Sequence, residues 1–100
     1  MIFIDAHAGD PITISDIAAE AGVVPRILQY AFRRHRGTTP MAYLRGVRLA
    51  RAREQLLAAE PGDGTTVAAV AARWGFPHPH RFAAVYHQAF GQPPSQELKQ

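Results

Sequence analysis

The sequence predicts an all-α fold: two helix-turn-helix subdomains joined by a long central helix, a homeodomain-like repeat. Three observations carry that prediction. Eighteen of the 100 residues are alanine, no stretch of useful length alternates apolar with polar side chains, and one pattern of helix, glycine turn and helix occurs twice. One hundred residues suffice for a single compact domain, 1–100, and a chain that is 47% hydrophobic and 19% charged has a globular rather than a disordered balance. The absence of cysteine excludes a disulfide framework, a thiolate zinc site and a cysteine nucleophile, and it fits a reducing, cytoplasmic setting. The amino terminus, MIFIDAHAGD, lacks a positive leader region and the longest apolar run is only a few residues. Neither a signal peptide nor a membrane span is read from it.

The elements follow from their punctuation. Residues 2–8 look like the last turns of a helix cut short by the start of the chain. Thr13 opens a capping box with Asp16 at the third helical position, and that helix runs to Ala21 and stops at Gly22. Pro25 suits the first position of the next helix, which ends after Arg36 at Gly37. Pro40 starts a long helix reaching about Ala59, closed by Glu60-Pro61-Gly62-Asp63-Gly64, the strongest breaker cluster in the chain. A short helix over Thr66–Trp74 ends at Gly75. Pro79 opens the last helix, which extends to about Phe90 before Gly91 and the Pro93-Pro94 pair.

Sliding the chain along itself exposes the repeat. Thr13-Ile14, Ile17-Ala18-Ala19 and Gly22 recur 53 positions later as Thr66-Val67, Val70-Ala71-Ala72 and Gly75. One extra residue in the second turn makes the offset 54, so Leu28 matches Phe82, Phe32 matches Tyr86, Gly37 matches Gly91 and Pro40 matches Pro94. A short helix, a tight glycine turn and a second helix form the unit that presents its second helix to the DNA major groove. The units span 13–37 and 66–91, and 40–59 is the linker. Two copies are far more specific than one.

Charge is segregated along the chain. From Arg26 to Arg53 lie eight arginines and no acid, whereas the other residues hold three basic and eight acidic side chains, so +8 faces −5 within a net charge of +3. Such a footprint repels itself unless a polyanion docks on it, although a solvated helix face is the plain alternative. The arginine fork suits phosphates and guanine edges.

The second helices separate into faces at 3.6-residue spacing. In the first unit Leu28, Ala31, Phe32 and His35 share one stripe, and Arg26, Gln29, Tyr30 and Arg33 share the opposite one. Arginine and glutamine match the base edges of guanine and adenine, and Tyr30 can meet a sugar, a phosphate or a thymine methyl. In the second unit Phe82, Tyr86, Ala89 and Phe90 are expected to be buried, with His80, Ala83, Ala84 and His87 facing outward and Arg81 alongside. The second face is poorer in base-reading groups. The candidate base contacts are therefore Arg26, Gln29, Tyr30, Arg33, His80, Arg81 and Ala84, with most direct readout in the first unit. Candidate phosphate contacts are Thr13, Arg34, Arg36, Arg45, Thr66, His78 and His87.

The linker helix, about twenty residues, would span roughly 30 Å, close to the roughly 34 Å repeat of the major groove. Leu49, Ala52 and Leu56 share one azimuth while Leu44, Val47 and Leu57 point elsewhere, as contact on two sides requires. Arg45, Arg48 and Arg51 face phosphate or pair with Glu20, Glu54 or a helix-end carbonyl. His78, His80 and His87 have no metal-site spacing, so no metal or cofactor is expected. Ser15 and Ser95 lack a nucleophile elbow and there is no glycine-rich phosphate loop, which argues against an enzyme. The rival reading is a basic helical module for RNA or an acidic protein.

Through ITISDIAAEAG, PRILQYAFRRHRGTTPMAYL, RLARAREQLL and VAAVAARWGFPHPHRFAAVYHQAFGQPPS, the chain resembles nearly end to end the carboxy-terminal DNA-binding domain of AraC/XylS-type transcription regulators. The resemblance implies a monomeric module that places two recognition helices in adjacent major grooves of double-stranded promoter DNA and touches RNA polymerase. It also implies an effector-binding or dimerisation domain preceding this segment. By position it assigns base reading to Arg26, Gln29 and Tyr30, and to His80, Arg81 and Ala84. Two positions depart from the family pattern: Val24 stands where a serine cap is usual, and Tyr30 where an arginine is often found.

Overall fold

In a computed structural model, the structure describes residues 2–98. It is all-helical among those residues: α1 (Ile2–Ala6), α2 (Ile14–Ala21), α3 (Pro25–Arg36), α4 (Pro40–Ala58), α5 (Val67–Arg73), α6 (Pro79–Phe90) and a short 3-10 turn, Pro94–Glu97. The chain divides into two compact units, the first ending at Val47 and the second beginning at Arg48, so α4 contributes its first turns to one and its remainder to the other. Among the described residues no helix is long and apolar enough to cross a membrane.

The same local chemistry builds both units. Thr13 Oγ1 accepts from the Asp16 N–H at 3.2 Å and the Asp16 carboxylate accepts from the Thr13 N–H at 2.8 Å, closing the reciprocal box that starts α2. In the second unit Thr66 Oγ1 accepts from the Ala69 N–H at 3.1 Å, and an alanine at that third position offers no return bond. Both short helices end in one motif. The Gly22 and Val23 N–H groups donate to the carbonyls of Ala19 and Ala18, and those of Gly75 and Phe76 donate to Ala72 and Ala71. Gly22 and Gly75 lie at φ 73° and 85°, the left-handed region where a side chain would be strained.

Neither α3 nor α6 has a side-chain cap. Val24 and His78 precede the first turn in extended conformation, followed in each case by proline. Proline lacks an N–H, and the Val24 carbonyl accepts from both Ile27 and Leu28. Fewer donors are left needing a cap, which is why valine is tolerated where an oxygen would ordinarily sit.

The first core gathers Ile4, Ala8, Ile17, Ala18, Leu28, Phe32 and Leu44, with Tyr43 and Val47 packed against it. The second gathers Leu49, Ala52, Leu56, Val70, Ala71, Phe82 and Tyr86. Each large side chain so buried contributes about 1.5–3 kcal/mol. Leu44 and Val47 thus serve the first core and the Leu49, Ala52 and Leu56 stripe the second, but Leu57 packs into neither and is exposed.

The outer ends of two predicted stripes need correction. His35 and Ala89 are exposed, and Ala83, placed on the outward face, is half-buried. Ala83 stands two turns before Phe90 on the same azimuth, at the edge of the buried stripe. For His35 and Ala89 the cause is helix length: α3 and α6 have twelve residues each, while the α2 and α5 packed on them have eight and seven. The last turns of the longer helices therefore run past their partners. Phe90 in that turn is kept partly covered by other contacts, with the Arg53 guanidinium 5.1 Å from its ring centroid and Tyr86 4.6 Å away. The 3-10 turn after α6 was not expected from the sequence. It carries Glu97, 6% exposed, which accepts from Gln92 Nε2 and lies 3.8 Å from Arg53 Nε. Burial, and then the Glu97 charge, push the Tyr86 phenol above its ordinary range.

Candidate nucleic-acid interface

In the first unit, burial of Leu28 and Phe32 one turn apart fixes the rotation of α3 about its axis. Everything opposite them must face outward. Arg26, Gln29, Tyr30 and Arg33 are exposed, and so are Arg34 and Arg36 beside them. No acid occurs anywhere on α3, and among the described residues no ion pair engages Arg26, Arg33 or Arg34. Their charges remain uncompensated by the protein. Arg36 stacks on Tyr43, 5.1 Å from the ring centroid, which steadies its stem while leaving the guanidinium donors available. Arg45 is exposed on α4, and Thr13 is exposed at the start of α2. The Thr13 oxygen already accepts a capping bond, so its hydroxyl proton is what it can offer a phosphate.

In the second unit, Phe82 and Tyr86 orient α6 in the same way. His80, Arg81, Ala84 and His87 are exposed along it, with His78 exposed at its cap and Thr66 exposed at the start of α5. The outward face thus holds one arginine, an alanine and imidazoles where α3 holds four arginines, a glutamine and a phenol. Among the described residues no three His, Asp or Glu side chains come together as a metal site would require.

One arginine of α4 is turned into the second unit instead of lying open. Arg48 is half-buried, its guanidinium 3.4 Å from where a Cβ on Gly75 would stand, and burial lowers its pKa from the ordinary arginine value. It braces the turn between α5 and α6. Arg51 is half-buried as well. Among the described residues, nothing lies within 4 Å of the corresponding point at Gly22. A further brace in the second unit is the Trp74 indole, which donates to Gln55 Oε1 at 2.9 Å.

Sequence reasoning singled out Tyr30 as a base contact and Val24 as a missing cap, but not Ile27 or the apolar patch that the three form at the tip of α3. Val24 is 60% exposed, Ile27 52% and Tyr30 63%. Ile27 also forms one wall of a shallow groove of about 270 Å³ with Ala21, Val23, Ala31 and the floor residues Leu28 and Phe32. The repeat would have revealed it, because the counterparts of Ala21, Val23 and Ala31 are the much larger Trp74, Phe76 and Val85.

Comparison with known proteins matches residues 17–100 to a family described as a helix-turn-helix domain. A probable thc operon regulatory protein of Rhodococcus erythropolis is 44% identical over 98 residues, covering 97% of this chain and 29% of the relative. A XylDLEGF operon transcriptional activator of Pseudomonas putida is 35% identical over 99 residues, covering 98% of this chain and 30% of that protein. The chain therefore spans less than a third of the length of these relatives. Among solved structures, a probable AraC family transcriptional regulator from Rhodopseudomonas palustris superposes with a TM-score of 0.87 at 38% identity, covering 97% of this chain and 88% of that one.

Proposed function

The chain belongs to the AraC/XylS family of helix-turn-helix DNA-binding domains, a family of sequence-specific transcription regulators and not of enzymes, and from that premise we propose how this member reads its site. Its two recognition helices, α3 and α6, enter successive major grooves of a promoter. Arg26, Gln29, Tyr30 and Arg33 carry most of the direct base readout. His80, Arg81 and Ala84 read the second groove more loosely. Thr13, Arg34, Arg36, Arg45, Thr66, His78 and His87 hold the phosphates on either side, fixing register without reading sequence.

The observation that supports this reading most directly is the surface of α3: four arginines and a glutamine, all exposed, on a helix without an acid. A face of that kind gains little from water and much from a polyanion that offers both phosphates and base edges. As a fragment the domain acts as a monomer. In the longer protein, an effector-binding or dimerisation domain precedes it and the bound complex touches RNA polymerase. Both proposals are supported by the length of the relatives and by the activator among them.

Selection from a random duplex library tests the proposal. Two half-elements about ten base pairs apart, the second less stringent, are the expected result. Salt-titrated binding of the selected duplex should give a steep slope, with single-stranded RNA and an acidic peptide bound far more weakly. Salt-insensitive binding to the peptide alone would overturn the reading in favour of a protein-docking module.

A further inference from the structure

We propose that Val24 and Ile27, at the leading end of α3, contact thymine C5-methyl groups and make the first half-site selective for A·T pairs at those positions. The inference rests on the reading of α3 as a recognition helix and assigns its tip a ligand chemistry that the arginines cannot supply.

Exposure concentrates in one place. Of the six large hydrophobic side chains that stand exposed among the described residues, Val23, Val24, Ile27 and Tyr30 fall within eight residues, at the turn into α3 and its first turns. Recognition helices meet base edges with their N-terminal residues, so this is the end that goes deepest into the groove. The repeat supplies a second, independent indication. At the 54-residue offset, His78 is the counterpart of Val24, Arg81 of Ile27 and Ala84 of Tyr30. These are the registers by which α6 reaches DNA in the proposed complex, and the first unit fills the same registers with apolar groups.

Charge decides what kind of occupant such a patch takes. The same helix carries Arg26, Arg33 and Arg34 exposed and no acid, so an apolar protein surface docked along it would desolvate cations without pairing them. The major groove of an A·T pair meets both needs, because it presents a methyl group in the groove and phosphates along its edges. Ile27 lies one turn before Ala31 and three residues before Tyr30, so its methyls can reach a base adjacent to the one under Tyr30.

The test removes one methyl at a time from the DNA and leaves the protein untouched. The whole chain is titrated with the duplex recovered by selection, each thymine being replaced in turn by deoxyuridine, which keeps the O4 acceptor and lacks only the methyl. One or two positions in the first half-site should lose about fourfold in affinity, the effect of burying one methyl-sized group. That loss should disappear for Val24→Ala at one position and for Ile27→Ala at the other. Both side chains are largely exposed, so the variants should keep the parent's helical circular dichroism. If uracil is neutral everywhere on a duplex that is still bound with sequence preference, the inference falls and the recognition-helix reading survives. If the uracil losses persist undiminished in both variants, another side chain makes the contact and the assignment is wrong. Absence of any preferred duplex would sink both readings together.

Discussion

Where the second unit packs Trp74, Phe76 and Val85 against its core, the first has Ala21, Val23 and Ala31, and a groove of about 270 Å³ lies open along α3. Where Arg48 braces the turn at Gly75, nothing stands beside Gly22. The outward faces differ in the opposite sense, since α3 is dense in arginine and α6 is sparse. The duplicated plan of Thr cap, glycine turn and proline-led helix is thus kept in both copies, while packing and surface chemistry have diverged. The copy richer in base-reading groups is the one less filled and less braced. In the proposed complex the more lightly packed α3 is the helix assigned most of the base readout, and the braced α6 the one assigned mainly to positioning.

The largest test of this contrast is core truncation. Phe32→Ala and Phe82→Ala should each cost about 3–5 kcal/mol of unfolding free energy in denaturant titration. Because the two hydrophobic clusters share no residue, amide exchange should show protection lost in α2 and α3 for the first variant and in α5 and α6 for the second. Uniform loss over all helices in both variants would show one cooperative core and erase the distinction.

Base readout comes next. Arg26→Ala should cost about 1–3 kcal/mol at one base pair of the selected site and flatten the preference there, measured by binding to single-position duplex variants. Arg36→Ala, at a proposed phosphate contact, should weaken all duplexes alike and lower the salt slope by about one. His80→Ala should change the profile less than Arg26→Ala. A larger change from His80 would place the stringent half-site in the second unit.

How much of this was legible in the sequence depends on what kind of signal each feature leaves. The helices were, because glycines in left-handed turns, Thr caps and prolines at first positions act locally and twice over. The outward face of α3 was also legible, since two buried aromatic and aliphatic anchors one turn apart fix its rotation. The ends of the stripes were not. Helical periodicity alone cannot show that α2 and α5 stop short, and His35 and Ala89 were placed as if their partners continued. Glu97 gave no sign of burial because Arg53, 44 residues earlier, is brought to it only by tertiary folding. For Arg48 the sequence leaves open a phosphate, an acid or a helix-end carbonyl, and it lies instead against a turn 27 residues away. The groove was recoverable in principle, by asking what size of side chain each copy places at matching positions.

Filling that groove is a smaller test. Val23→Phe copies the second unit's Phe76 into the first, on a surface already lined by apolar side chains. A gain of about 0.5–2 kcal/mol in unfolding free energy is expected, as for other substitutions that fill a void. If the variant is less stable than its parent, the groove is too shallow or too rigid to accept a ring, and the difference in packing is not what separates the two units.

The smallest expected effect concerns the caps, where the duplication is incomplete. Thr66→Ala removes the oxygen that receives the Ala69 N–H and should cost about 1 kcal/mol. Thr13→Ala should cost less than Thr66→Ala, because Asp16 still accepts from the backbone N–H of residue 13 and keeps half of the box closed. Ala69 is exposed, so an aspartate there meets no packing obstacle. Ala69→Asp should then complete the second box and stabilise α5 by about 0.3–1 kcal/mol at low salt, through the return bond and the favourable charge at a helix N-terminus. The helix-dipole part of that gain should shrink as salt is raised, while the bond to the Thr66 N–H persists. An Ala69→Asp variant no more stable than its parent at any salt concentration would mean that the second unit's entry cannot close a box, and that the two copies already differ in backbone at their first turn.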